Sequence, residues 1–173
     1  TLTRSSAASD VYKRQIRDTP EEGARVASRL VKKILSSRSN PVLGLATGGT
    51  PLRLYREMIR MYQAGELSFQ DCTSFNLDEY VGLPPEDERS YHHYMRTHLF
   101  DQVDMDPEHV HLPNGCAGDL RQACRDYEQK IKESGGIDLQ VLGIGANGHI
   151  GFNEPTGSPV SYTHLRAHET DRY

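Results

Sequence analysis

Apolar positions along the chain switch repeatedly between two spacings. Ala27, Leu30, Val31, Ile34 and Leu35 recur as one face of a helix does. Thr19-Pro20-Glu21-Glu22 ahead of them reads as a helix start, with Thr as N-cap, Pro at the first helical position and Glu at the third closing a capping box. After a polar break at Ser36–Asn40, Pro41–Ala46 is short and apolar enough for a buried strand. Thr47-Gly48-Gly49-Thr50-Pro51 is the turn after it, and Thr50 as N-cap with Pro51 opens a second helix carrying Leu52, Tyr55, Met58, Ile59 and Tyr62. Gly65 stops that helix. The pattern then repeats: a strand at Thr73–Leu77 delivers Asp78, Glu79 and Tyr80, and Leu83–Glu88 (LPPEDE) is a loop. Ser90 caps a helix over Tyr91–Phe100, and a weaker strand follows at His109–Leu112. Asp119–Glu133 is helical, with Leu120, Cys124, Tyr127 and Ile131 on one face. Gly135-Gly136 ends it and feeds the apolar run Ile137–Val141, which enters the glycine-rich stretch Leu142–Pro155 (LGIGANGHIGFNEP). Alternating strands and helices predict right-handed βαβ crossovers, hence an α/β fold with a mainly parallel sheet.

Composition narrows the class. The 173 residues carry 24 acidic and 20 basic side chains, a net charge of −4, with neither sign in long blocks. That excludes nucleic acid and membrane surfaces as expected partners. Cys72, Cys116 and Cys124 form no CxxC pair, so neither a disulfide framework nor a structural zinc site is expected. No apolar run approaches the roughly 20 residues of a membrane span, and no secretory h-region is visible. A reduced, cytoplasmic enzyme or sensor is the expectation. Residues 1–15 (TLTRSSAASDVYKRQ) and 160–173 (VSYTHLRAHETDRY) lack periodicity and read as translated primer or adapter sequence, leaving 16–159 as the informative domain. Two natural but disordered termini are the alternative.

Three apolar runs end in Gly, Asp, Glu or His, as strands do when they deliver polar chemistry to the carboxyl edge of a sheet. Thr47-Gly48-Gly49-Thr50, between a strand and a helix start, offers backbone N–H groups, two hydroxyls and the positive end of a helix dipole to an anion. No GK[ST] follows, which argues against a nucleoside triphosphate, and a tight turn with a helix cap is the competing explanation. Strand side chains alternate, so only one of Asp78 and Glu79 faces a ligand. Asp78 is the better candidate for moving a proton between carbons, and Glu79 is balanced between function and a solvated acidic turn. His149 and Glu154 share one glycine-rich loop, where a carboxylate can orient an imidazole. His92, His93, His98, His109 and His111 lack metal-ligand spacing and read as surface or supporting residues, and Tyr91 and Tyr94 as packing.

The stretches LGLATGGTP, FNLDEYVGLP, SYHHYMRTHLF and GIGANGHIGFNEP together closely resemble the glucosamine-6-phosphate deaminase (isomerase) family over essentially all of residues 16–159. The resemblance implies a three-layer, Rossmann-like α/β sandwich and a cofactor-free, metal-free reaction. In it, glucosamine 6-phosphate and water give fructose 6-phosphate and ammonium in amino-sugar catabolism. By motif position, Thr47, Gly48, Gly49 and Thr50 would bind the substrate phosphate. Asp78 would take the C2 proton and return it at C1 through an enolamine. His149, held by Glu154, would assist ring opening, and Glu79 and Gly148 would also belong to the substrate site. Asn147 stands where some members carry Asp, which would leave His149 leaning on Glu154 alone for charge. The 6-phosphogluconolactonases share the fold and the glycine-rich turn but have neither NLDEYVGLP nor HIGFNEP. A lactonase-like hydrolase and a non-catalytic sugar-phosphate-sensing domain of a transcription regulator are the alternatives. Family members continue past the NEP motif with further strands, a phosphate-contacting lysine and part of a lid. The first strand, ahead of the Thr19 helix, is also expected to be lost. The resemblance thus implies an incomplete fold with an unpaired sheet edge and weak or no activity for the chain alone. A homo-oligomeric full-length parent stays open.

Overall fold

The computed structural model describes residues 15–151 and, further on, a strand at 164–167. The flanking segments expected at 1–15 and 160–173 lie largely outside the described residues, and Glu154 lies outside them too.

Helix α1 spans Pro20–Ser37, and the Thr19 hydroxyl caps it by accepting from the Glu22 N–H at 3.2 Å. The Glu22 carboxylate reaches one residue further back than a capping box requires, to the Asp18 N–H at 3.2 Å. The buried stripe of α1 runs through Ala24, Ser28 and Val31, with Ala27, Ile34 and Leu35 packed beside it. Leu30, expected in that stripe, is 53% exposed because the helix is rotated toward its small residues. Ser28 tolerates burial by donating its hydroxyl to the Arg25 carbonyl at 3.0 Å.

Strand β1 (Val42–Leu45) is buried throughout, and α2 (Pro51–Gln63) follows it. Thr50 precedes α2 but makes no capping hydrogen bond with its side chain, and its backbone is already helical at φ −66° and ψ −48°, so the expected hydroxyl cap is corrected. Helix α2 ends in a Schellman turn: Gly65 takes φ +69°, its N–H donates to Tyr62 O and the Glu66 N–H to Met61 O, both at 2.8 Å. Further along lie β2 (Thr73–Asn76), β3 (Asp78–Val81), α3 (Tyr91–His98), β4 (Val110–His111), α4 (Leu120–Glu133), β5 (Leu139–Gln140) and β6 (His164–Ala167). Ser90 and Asp119 cap α3 and α4 through the N–H groups of His93 and Gln122. Helix α3 stops short of the expected Phe100, since Leu99 leaves helical geometry at φ −147° and a 3₁₀ turn takes over.

The main sheet has the order β4-β2-β1-β5, and every pairing in it is parallel. A second, two-stranded sheet pairs β3 with β6, also parallel. The register opposes Leu43 to Ser74, Gly44 to Phe75 and Leu45 to Asn76. Alternation then divides the core between two faces. Leu43 and Leu45 pack with Val31, Leu54, Tyr55, Met58 and Met95 from the α1, α2 and α3 side. Val42 and Phe75 pack with Tyr127 of α4 on the other, with Phe75 and Tyr127 edge to face at 5.7 Å. This is a three-layer α/β sandwich with a parallel sheet. The Tyr127 hydroxyl reaches the carbonyls of Asn76 at 2.7 Å and His111 at 2.9 Å, tying α4 to neighbouring strands.

Strands β4 and β5 form the margins of the main sheet among the described residues. Just past β5, Leu142, Ile144 and Ile150 are 45%, 70% and 40% exposed, an apolar surface next to that margin. Among the described residues no helix is long and apolar enough to cross a membrane.

Leu43 has no exposed surface and sits in the middle of the sheet, so Leu43→Ala is expected to cost about 2–5 kcal/mol. Leu30→Ala, on the face sequence spacing favoured, is expected to change stability by no more than about 0.5 kcal/mol. Urea midpoints at unchanged slope would measure both.

Candidate active site

Parallel pairing puts the carboxyl ends of β1, β2 and β5 on one edge, and the described residues form a cleft of about 240 Å³ there. Its walls are the turn after β1 (Thr47–Thr50), Asp78 from the β2–β3 junction, Tyr91 from α3, and Gly143, Gly145 and His149 from the loop after β5. Each of the three apolar runs singled out in the sequence therefore contributes to a single cavity.

The β1 turn is braced from both sides. From α2, the buried Tyr55 hydroxyl donates to the Ala46 carbonyl at 2.5 Å and accepts from the Ala46 N–H at 3.2 Å. From α3, the Tyr94 hydroxyl donates to the Gly48 carbonyl at 2.6 Å. Gly48 adopts φ +100°, a left-handed conformation that a side chain disfavours. Thr47 is half-buried, whereas Gly48, Gly49 and Thr50 are exposed. With Thr50 not capping α2, the first turn of that helix keeps its positive dipole end toward the cleft.

Asp78 and Glu79 diverge as alternation requires. Asp78 is 7% exposed and lines the cleft. Its charge reaches the phenols of Tyr55, Tyr91 and Tyr127. Burial chiefly raises the pKa of all three, and the Asp78 charge adds to that. Glu79, expected both as a substrate-site residue and as a candidate solvated turn, is neither at the cleft wall nor solvated, since it has no exposed surface. Its Oε1 accepts from the N–H groups of Tyr80 (2.8 Å) and Tyr91 (2.9 Å). Its Oε2 accepts from the His92 N–H (3.0 Å) and lies 2.7 Å from His92 Nδ1. Burial by itself would raise the Glu79 carboxyl, but the His92 ring and these backbone donors outweigh it and hold it below its ordinary value of 4.5.

The loop after β5 doubles back on itself. Ile144 and Ile150 form an antiparallel bridge, the Gly145 N–H donates to His149 O at 2.8 Å, and Gly148 turns the chain at φ +88°. Gly148 thus shapes the loop and does not line the cleft. Asn147 Oδ1 accepts from the His149 N–H at 3.3 Å and lies 2.5 Å from His149 Nδ1. With a proton on Nδ1 donated to that amide oxygen, Nε2 keeps the lone pair and can exchange a proton. The partner that the described residues give His149 is therefore Asn147, whereas sequence reasoning chose Glu154, which lies outside them. The His149 ring occupies the space a Cβ on Gly145 would need.

Sequence reasoning missed the two tyrosines of α3. Tyr91 lines the cleft, with its hydroxyl 3.2 Å from that of Tyr80 and hydrogen-bonded to Thr47, and Tyr94 holds the turn. The signal was present as two aromatic residues with polar tips three apart at the start of a helix that follows an acidic strand end. No cluster of His, Cys, Asp or Glu among the described residues has the makings of a metal site.

The fold is thus a parallel α/β sheet that gathers a glycine turn, a carboxylate and an imidazole around one cleft at its carboxyl edge. The chain belongs to the family described as glucosamine-6-phosphate isomerases/6-phosphogluconolactonase, whose model matches residues 17–151. It is 51% identical over 145 residues to a glucosamine-6-phosphate deaminase of Thermoanaerobacter sp. (strain X514), a match covering 84% of this chain and 57% of that relative. It is also 51% identical over 135 residues to glucosamine-6-phosphate deaminase 2 of Bacillus subtilis (strain 168), covering 78% of this chain and 54% of that one. The chain thus spans little more than half the length of these relatives. Among solved structures, a monomeric glucosamine-6-phosphate deaminase superposes with a TM-score of 0.79 at 48% identity, covering 82% of this chain and 59% of that one. A 6-phosphogluconolactonase from Thermotoga maritima gives a TM-score of 0.66 at 20% identity over 80% of this chain and 61% of its own, a likeness of fold.

Because the Glu79 carboxyl is held low in the folded chain, its contribution to stability is present above its unfolded value and is lost as pH falls through the lower folded value. In urea unfolding between neutral pH and about pH 3, the wild type is therefore expected to lose stability more steeply than Glu79→Gln once the pH drops below about 4.5. Parallel acid limbs would contradict this.

Proposed function

We propose that this chain carries the catalytic edge of a glucosamine-6-phosphate deaminase, converting glucosamine 6-phosphate and water to fructose 6-phosphate and ammonium. The observation that carries the reading is that Asp78 and His149 line the same cleft as the Thr47–Thr50 turn. Deaminases about 50% identical to the chain give the reading its substrate.

The substrate phosphate sits on the N–H groups and hydroxyls of Thr47, Gly48, Gly49 and Thr50, at the positive end of α2. His149, its ring oriented through Nδ1, takes the proton of the C1 hydroxyl on Nε2 and delivers it to the pyranose ring oxygen, so the bond from C1 to the ring oxygen breaks and the aldehyde forms at C1. Asp78 then removes the proton from C2, giving an enolamine across C1 and C2, and returns it to C1. With one proton also passed from the nitrogen to the C1 oxygen, which becomes a hydroxyl, the product carries an iminium at C2. Water adds there, the carbon–nitrogen bond breaks, and the nitrogen leaves as ammonium with a ketone left at C2. Proton transfers and one water account for the whole conversion. Glu154 stabilises the charged form of His149, and Asn147 fixes its ring. In this reading the protein is a cytoplasmic hydrolase of N-acetylglucosamine breakdown.

Thermal melts of the chain alone, with glucosamine 6-phosphate and with 6-phosphogluconate test the substrate class. A midpoint raised selectively by glucosamine 6-phosphate is expected, and one raised selectively by 6-phosphogluconate would favour a lactonase. Asp78→Asn is expected to keep the ligand-induced rise while lowering ammonium release and C2 hydrogen exchange by about 10²–10⁴-fold. Retained turnover would remove Asp78 from its role. Glu154→Gln is expected to cost far more activity than Asn147→Ala, and equal losses would contradict the division of work around His149.

A further inference from the structure

Glu79 is the most completely buried charged group among the described residues, and the mechanism does not use it. A buried carboxylate is tolerated only where donors surround it. Here they come from two elements. One is Tyr80 N–H on its own strand β3; the others are the Tyr91 and His92 N–H groups and the His92 ring at the start of α3. Ser90 Oγ takes the next N–H of the helix, that of His93, at 3.0 Å. The first three N–H groups of α3 are therefore all held by side chains, two of them by one charge on another element, and the helix dipole favours that charge.

What α3 carries gives this joint a purpose. Tyr91 stacks against Tyr80 with ring centroids 4.8 Å apart and lines the cleft, and one turn later Tyr94 holds the Gly48 carbonyl. Asp78 precedes Glu79 on β3. The same carboxylate thus sits between the strand that carries the proton-transfer group and the helix that braces the anion turn, without touching the cleft itself.

We propose that Glu79, paired with His92, is a positioning residue that sets the anion turn Thr47–Thr50 relative to Asp78 through α3 and the Tyr94–Gly48 contact. The proposal rests on the deaminase reading only for the identity of the anion; the mechanical link stands without it.

The test uses the whole chain as Glu79→Gln, Tyr94→Phe and the double variant. Two readouts are needed, the ¹H–¹⁵N correlation peaks of Gly48 and Gly49 and the affinity for inorganic phosphate. Glu79→Gln is expected to shift both glycine peaks although it touches neither, while peaks from β1 stay in place. It is also expected to weaken phosphate binding about tenfold, the size of one lost contact to a charged group. In the Tyr94→Phe background the same substitution should add little to either change, because the link is already cut. Should Glu79→Gln not fold, His92→Gln removes one of the four bonds, keeps the carboxylate, and is read through the same peaks. Unmoved glycine peaks in a folded variant, or losses of affinity that simply add, would overturn the proposal. A wild-type chain that binds neither phosphate nor glucosamine 6-phosphate would count against the functional reading instead, and the glycine peaks would still decide the link.

Discussion

Everything at the cleft depends on β1 being paired in parallel with strands on both of its sides. Parallel neighbours end at the same edge, so a glycine turn, a carboxylate and an imidazole loop far apart in the chain converge without any of them reaching far. The pairing is secured by more than the ladder. Asp138 takes part with both backbone and side chain, its N–H donating to Val42 O at 2.9 Å and its carboxylate accepting from Val42 N at 3.0 Å. Arg38 lies 3.2 Å from that carboxylate, so the end of α1 is tied to the same point. Gly44 opposite Phe75 leaves room for the Gln140 side chain, whose amide occupies the space a Cβ would take.

Much of this was legible in the sequence, because the signals were local. Helix starts at Thr19, Ser90 and Asp119 carry their capping side chain within three residues of the N–H it serves. Buried strands announced themselves as apolar runs, and glycine after Ala64 and Ser134 marked helix ends. The candidate residues Thr47–Thr50 and Asp78 were visible because each follows an apolar run directly, and His149 because it lies in the glycine-rich stretch that a third such run enters.

What was not legible depends on pairs that only the fold creates. Nothing near Glu79 in the sequence states that a helix start twelve residues on will wrap its carboxylate, so a solvated turn was as reasonable as function. Tyr91 and Tyr94 look like packing because their apolar rings do pack; their hydroxyl partners, on Tyr80 and Gly48, belong to other elements. Leu30 failed for the opposite reason. Helical spacing defines a face only to within a residue, and the neighbouring helix chose the smaller side chains Ala24 and Ser28. Thr50 shows a sequence signal overridden by geometry, since a residue already in helical conformation does not place its hydroxyl as a cap.

The imidazole of His149 fills the volume above the Gly145 α-carbon. Two positions four residues apart therefore share the space of one side chain, and they are not free to vary separately. A side chain acquired at 145 requires the ring at 149 to move from its place beside Asn147, so a change at the glycine re-aims the imidazole without altering the histidine itself. The loop encodes one functional group with two letters.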